Sequence, residues 1–165
     1  MLDAARAAPE LTFIITGRQD KARQNGHHID NIPPNVILPG YLDVAVFDDL
    51  LRAADVVVGL TLEEGIQLSV CNEALGFGRP LVTADTQILR ALFGEAAILV
   101  NPRDPQQIVS ACRLALQNSS EYAAKSVALA AKRLTAWKHE QLSTVTRFTR
   151  TNPRDLLADK SEGAQ

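Results

Sequence analysis

Five short, mostly apolar runs alternate with stretches of helical periodicity along this chain, and no other feature restricts its fold as strongly. The runs lie at residues 11–16, 36–38, 55–60, 81–83 and 97–100, rich in Val, Ile and Leu and bounded by Gly, Pro or Asn. Each is strand-length, and a strand–helix–strand rhythm specifies βαβ units and hence a parallel sheet. The runs are close to continuously apolar rather than alternating, which is the pattern of strands covered on both faces. The expected fold is therefore α/β: a Rossmann-like parallel sheet with helices on both faces.

The intervening stretches fit this plan. Residues 2–8 read as a helix stopped by Pro9. Residues 18–34 are polar, with Asn25-Gly26 as a turn signal and Pro33-Pro34 as a stop, so a loop with room for one helical turn is expected. Val46, Phe47, Leu50, Leu51 and Ala54 repeat at helical spacing behind Asp43, a suitable N-cap. Further helices are expected over 88–93, closed by Gly94, and from Asp104-Pro105 to Gln117, where Asp caps and Pro takes the first helical position. A long helix follows from Ser119 or Ser120 to about Thr149. The organisation is one domain over residues 1–150 and a frayed polar tail over 151–165. A doubly wound domain normally opens on a strand, whereas this chain opens on a helix.

Composition narrows the function classes. The chain has 165 residues, enough for one domain with a sizeable core. Its net charge is −2 and its basic residues are scattered, which argues against a nucleic-acid partner. No apolar run is long enough for a transmembrane helix, and the first residues are amphipathic rather than signal-like. A cytoplasmic protein is expected, with Cys71 and Cys112 as buried, reduced thiols. No G-x-G-x-x-G follows a strand, which disfavours a dinucleotide dehydrogenase.

The most specific segment runs from Thr61 to Pro80. The apolar run at 55–60 enters an acidic, glycine-containing turn, and a helix begins near Leu68. Ser69, Asn72, Glu73 and Gly76 fall on one face of that helix, while Val70, Cys71, Ala74, Leu75 and Phe77 cover the other. A helix N-terminus after such a turn offers free N–H groups to phosphate, and a carboxylate on the open face can accept from ribose hydroxyls. The plain alternative is a surface helix with a solvated polar face.

Residues 50–60 (LLRAADVVVGL), Glu64-Gly65, Glu73-Ala74-Leu75, Gly78-Arg79-Pro80 and Asp85 together resemble the C-terminal half of nucleotide-sugar-dependent, retaining glycosyltransferases with the GT-B fold. More narrowly they are similar to group 1 (family four) enzymes, over about residues 2–140. The resemblance implies one half of a GT-B architecture that transfers a hexosyl group to a glycan, lipid or other acceptor. By the same resemblance Glu73 holds the donor ribose. Gly65, Ile66, Gln67 and Leu68 approach the donor sugar and phosphates, Glu64 is the candidate catalytic carboxylate, and Gly40 and Tyr41 lie against the base.

The chain departs from the family in three respects. Eight residues separate Glu64 from Glu73, one more than usual, a spacing shared by divergent members. The family's first strand, its glycine loop and its diphosphate-neutralising Arg/Lys pair fall before Met1. The acceptor domain does too. The resemblance thus implies an N-terminal acceptor domain or companion chain as partner, a chain inactive in isolation, and an open strand edge that a homodimer or a donated strand would cover. In the full enzyme a membrane-peripheral location is also compatible. No metal or cofactor is expected beyond the nucleotide-diphosphate sugar itself.

Three further residues invite readings of their own. His27-His28 are adjacent but lack the additional convergent ligands a metal needs. Tyr41 either stacks on a base or, more often for such a residue, fills an apolar gap. Trp137 is expected to pack, on its own helix or at a seam with another domain. The reading from a different class is a non-catalytic Rossmann-like nucleotide-binding or scaffold module.

Overall fold

A computed structural model describes residues 1–24, 26 and 31–150, with side chains to residue 142. His27 and His28 and the tail at 151–165 lie outside the described residues. In order the elements are α1 (Leu2–Ala7), β1 (Phe13–Thr16), α2 (Gln19–Gln24), β2 (Val36–Gly40), α3 (Val44–Ala53), β3 (Val57–Gly59), α4 (Ser69–Gly76), β4 (Leu81–Ala84), α5 (Gln87–Phe93), β5 (Ala97–Val100), α6 (Pro105–Gln117) and α7 (Ser119–Arg150). The alternation read from the sequence is observed. The one departure in the first half is α2, longer than a single turn; it buries no residue, so no apolar periodicity announced it.

All pairings are parallel. β1 pairs with β2, and β4 lies between β3 and β5. Among the described residues β1 and β3 are not bonded to each other, so the strands form a two-stranded and a three-stranded sheet. The β1–β2 register slips by one residue between Ile14 and Thr16, opposite Pro39. Proline has no N–H to give a ladder and is tolerated at an edge or a bulge, as here on β2.

The two faces of β4 sort the helices. Val82 and Val100 join Ala4, Ala5 and Ala8 of α1 and Ile108, Val109, Cys112 and Ala115 of α6 in one buried cluster. Leu81 and Thr83, one residue out of phase and equally buried, point to the other side. Thr83 Oγ1 donates to Gly59 O at 2.8 Å and lies 3.4 Å from Cys71 Sγ of α4. On that side α3 adjoins α4, with the Arg52 guanidinium 4.9 Å above the Phe77 ring.

Local sequence fixes the element ends. Asp43 accepts from Val46 N–H at the start of α3, Thr86 from Leu89 N–H on α5, and Asp104 from Gln106 and Gln107 N–H on α6. The C-terminal end of α1 is closed from a distance: Asn35 Nδ2 donates to the carbonyls of Ala5, Ala8 and Leu11 at 2.8–3.0 Å. That clasp spans more than twenty residues and has no local signature.

The chain divides into two compact units, residues 1–129 and 130–165. The described part of the second is a stretch of α7 on which Leu134, Trp137 and Leu142 are exposed. Trp137 is 57% exposed, so the expected packing on its own helix is not found.

Candidate functional site

Parallel strands place their following loops at the carboxyl edge of their own sheet, and the candidate residues lie at these edges, Gly40 and Tyr41 in the two-stranded sheet and residues 64–73 in the three-stranded one. Gly40 is the last residue of β2, and residues 60–68 join β3 to α4. In an open parallel sheet, ligands bind outside these carboxyl ends.

The β3–α4 unit is the most specialised part of this edge. A Cβ at Gly59 would stand 2.8 Å from Val70 Cγ1 and 3.0 Å from Cys71 Sγ, so only glycine lets the first turn of α4 press so closely on β3. Gly65 has φ of +76°, a left-handed conformation that side chains rarely adopt. Around it Glu63, Glu64, Gly65, Ile66 and Gln67 are exposed, while Leu68 is half-buried and serves as the N-cap position of α4.

Leu68 has no side-chain oxygen, and α4 receives no side-chain cap. Helices α3, α5 and α6 each spend an Asp or Thr on their first N–H groups. A helix start leaves four N–H groups without intrahelical partners. On α4 no side-chain cap takes them, and they sit behind an exposed glycine loop. That arrangement favours an anion.

The faces of α4 are as read from the sequence. Cys71, Ala74 and Leu75 are buried, Ser69, Asn72 and Gly76 are exposed, and Glu73 is half-buried one turn into the helix. Tyr41 is 79% exposed, which removes it from the core and corrects the more usual expectation for such a residue. Cys71 and Cys112 are both free and buried, as expected. Burial pushes the Cys112 thiol up to about 11 and raises Cys71 as well, so both stay protonated at neutral pH.

The contact of Glu64 could not be read from sequence. Its Oε2 accepts from Gln87 N–H at 2.9 Å, at the start of α5, beside the Thr86 cap. The acidic loop is thus tied to the next helix by a charge-assisted bond, and a carboxylate retains further lone pairs for a second donor. Two arginines at this edge are already paired: Arg18 Nη2 lies 2.6 Å from Asp20, and Arg90 Nη2 lies 2.5 Å from Asp85. Among the described residues no cluster of three or more His, Cys, Asp or Glu is placed to hold a metal.

This architecture defines a Rossmann-like α/β domain, with its exposed glycine loop and uncapped helix at the carboxyl ends of the strands. The chain belongs to the group 1 glycosyl transferases, whose family model matches residues 1–118. No curated protein matches it significantly in sequence.

Solved structures agree on the fold. The Anabaena protein HepE, crystallised with UDP, superposes with a TM-score of 0.69 at 20% identity, over 88% of this chain and 44% of that one. The C-terminal domain of a group 1 family glycosyl transferase (LpcC) from Francisella tularensis gives 0.60 at 19% identity, over 82% and 76% of the two chains. The pneumococcal O-GlcNAc transferase GtfA, with UDP and GlcNAc, gives 0.60 at 23% identity, over 92% and 32%. The chain spans less than half the length of HepE and GtfA. Its fold is one half of a GT-B architecture.

Proposed function

We propose that this domain binds the nucleotide-sugar donor of a glycosyltransferase. The observation that carries the reading is the β3–loop–α4 unit, with its obligatory Gly59, left-handed Gly65 and N-terminus without a side-chain cap. The donor is a uridine or guanosine diphosphate sugar. Its diphosphate faces the start of α4 and the backbone of residues 65–68; Glu73 accepts from the ribose hydroxyls; Gly40 and exposed Tyr41 meet the base. UDP in the HepE and GtfA crystals supports this choice of ligand.

Glu64 is the residue proposed to act at the transferred sugar. Its bond to Gln87 N–H holds the loop in place, and the remaining carboxylate lone pairs are available to a sugar hydroxyl. Transfer of a hexosyl group with retention requires cations for the diphosphate and an acceptor held across a cleft. With Arg18 and Arg90 already paired, those cations and the acceptor site are assigned to a second domain or companion chain.

A homodimer is the other assembly proposed for this chain. No helix among the described residues is long and apolar enough to cross a membrane. A cytoplasmic enzyme, membrane-peripheral at most, is the location proposed.

Calorimetry with UDP is the test. Removing a charge-assisted hydrogen bond to ribose costs about 1.5–3 kcal/mol, so Glu73→Ala should weaken binding roughly ten- to a hundredfold. Equal affinity in both proteins would remove Glu73 from the site. A scaffold module without a donor site would bind UDP in neither.

A further inference from the structure

Among the described residues three polar side chains are buried: Thr83, Thr86 and Ser126. Thr86 caps α5, and Ser126 of α7 donates to Arg79 O. Neither task resembles that of Thr83. It stands in β4 between the buried residues Val82 and Ala84 and is wholly inaccessible to solvent. A valine would have nearly the same shape, suit a strand as well and carry no hydroxyl to desolvate. The hydroxyl at this position therefore answers to its partners.

Those partners lie on two other elements. Thr83 Oγ1 donates to Gly59 O, at the end of β3, at 2.8 Å, and lies 3.4 Å from Cys71 Sγ, in the first turn of α4. A hydroxyl carries one proton and can accept as well as donate. With that proton given to Gly59 O, the contact with sulfur runs the other way, and the Cys71 S–H is the donor. Burial raises the Cys71 thiol above its ordinary range and keeps that proton in place. The result is a directed hydrogen-bonded series, from Cys71 S–H to Thr83 O–H to Gly59 C=O, which joins α4, β4 and β3.

The series brackets the loop at residues 60–68: Gly59 precedes it, and Cys71 follows it on the helix. Leu68, Val70 and Cys71 all lie close to where a Cβ on Gly59 would stand, so side-chain contact seats the start of α4 on the end of β3. Apolar contact is non-directional and constrains the rotation of a helix about its axis only weakly. A hydrogen bond has a preferred direction and fixes that rotation. On α4 the rotation decides where Glu73, two residues beyond Cys71, is presented, and how the helix start meets its glycine loop.

We propose that Thr83 is a positioning residue for the donor site, aligning α4 and the glycine loop through its bonds to Gly59 and Cys71. The function assigned to it rests on the donor reading above; the series itself is a property of the fold. Thr83 is wholly buried and acts on the donor through α4, without touching it.

Infrared spectroscopy and calorimetry on the whole chain test this together. Cys71 and Cys112 are its two cysteines, and the S–H stretch falls where other protein groups do not absorb. A donating thiol absorbs at lower frequency than a free one, and Cys112, buried in the cluster of α1 and α6, serves as internal reference. Thr83→Val should raise the frequency of the Cys71 band and leave that of Cys112 in place. It should also weaken UDP binding to the folded protein about fivefold or more, a loss of alignment that lower stability alone does not produce. Thr83→Ser keeps the hydroxyl and should return both readings toward wild type. An unmoved Cys71 band, or a folded Thr83→Val protein with wild-type affinity, would overturn the proposal. Absence of UDP binding in the wild type would instead remove the donor reading. The amide resonances of Gly65, Ile66 and Gln67 then decide: displacement in Thr83→Val with return in Thr83→Ser upholds the alignment of the loop, and unmoved resonances overturn it. Where Thr83→Val does not fold, Cys71→Ala removes the sulfur end of the series alone and takes its place, with the same affinity and amide readings.

Discussion

The two sheet segments of this domain are built from similar sequence and end in different states. In β3–β4–β5 the central strand is buried at every residue, and the helices around it supply Cys71, Leu89, Phe93 and Ile108 without measurable exposure or nearly so. In β1–β2 only Phe13 and Val36 are buried, while Ile14 is 44% and Ile37 50% exposed. The sequence of β1, Phe-Ile-Ile-Thr, is that of an interior strand occupying an edge position. The contrast teaches that apolar composition alone does not set a strand's burial; what packs on either side of the strand does.

If stability is concentrated in the three-stranded part, the largest loss comes from its largest buried side chain. Phe93→Ala should destabilise by about 3–5 kcal/mol, the usual cost of emptying a buried aromatic site, read from denaturant midpoints. A loss below about 1 kcal/mol would put the core elsewhere.

Cys112 ties the same comparison to pH, since it sits in the buried cluster that includes Phe13 and Val36 of the two-stranded part and Val82 and Val100 of the three-stranded part. Its thiol titrates near 11 when folded against 9.0 when free. The native state therefore holds its proton longer than the unfolded state does, and stability falls as pH rises from about 9 to 11. At 1.36 kcal/mol per unit, the loss assigned to this group is on the order of 2–3 kcal/mol. Cys112→Ala should flatten that part of the profile relative to wild type; superimposable slopes would show that the thiol is not desolvated.

Gly59 separates packing from function at the β3–α4 contact. Gly59→Ala must push aside the Val70 and Cys71 side chains at the start of α4, at a cost of about 1–3 kcal/mol, and should weaken UDP binding more than its loss of stability explains. A variant of unchanged stability and affinity would mean that the close approach is incidental. The smallest effect belongs to the two-stranded segment: Ile37→Ala, at a half-exposed position, should cost less than about 1 kcal/mol. A larger loss would erase the contrast between the two segments.

Much of this was legible in the sequence, for identifiable reasons. The strands, the faces of α4 and the caps at Asp43 and Asp104 are local patterns, and local physics decides them. The Asn35 clasp on α1 and the Glu64–Gln87 bond join residues more than twenty positions apart and leave no periodic trace. For Tyr41 the gap-filling alternative and for Trp137 packing on its own helix fail, because both side chains are exposed and nothing local in the sequence marks an aromatic residue that does not pack. The division into a two-stranded and a three-stranded sheet was not legible either, because strand order is a tertiary property.

The claim that residues at the carboxyl ends of the strands form a donor site can be met directly by titrating UDP into the isotope-labelled chain and following its amide resonances. The account predicts weak binding, with shifts concentrated at Gly40, Tyr41, residues 65–68 and Glu73. Shifts confined to the opposite ends of the strands, near Glu10 and Asp55, or no shifts at millimolar UDP, would contradict it.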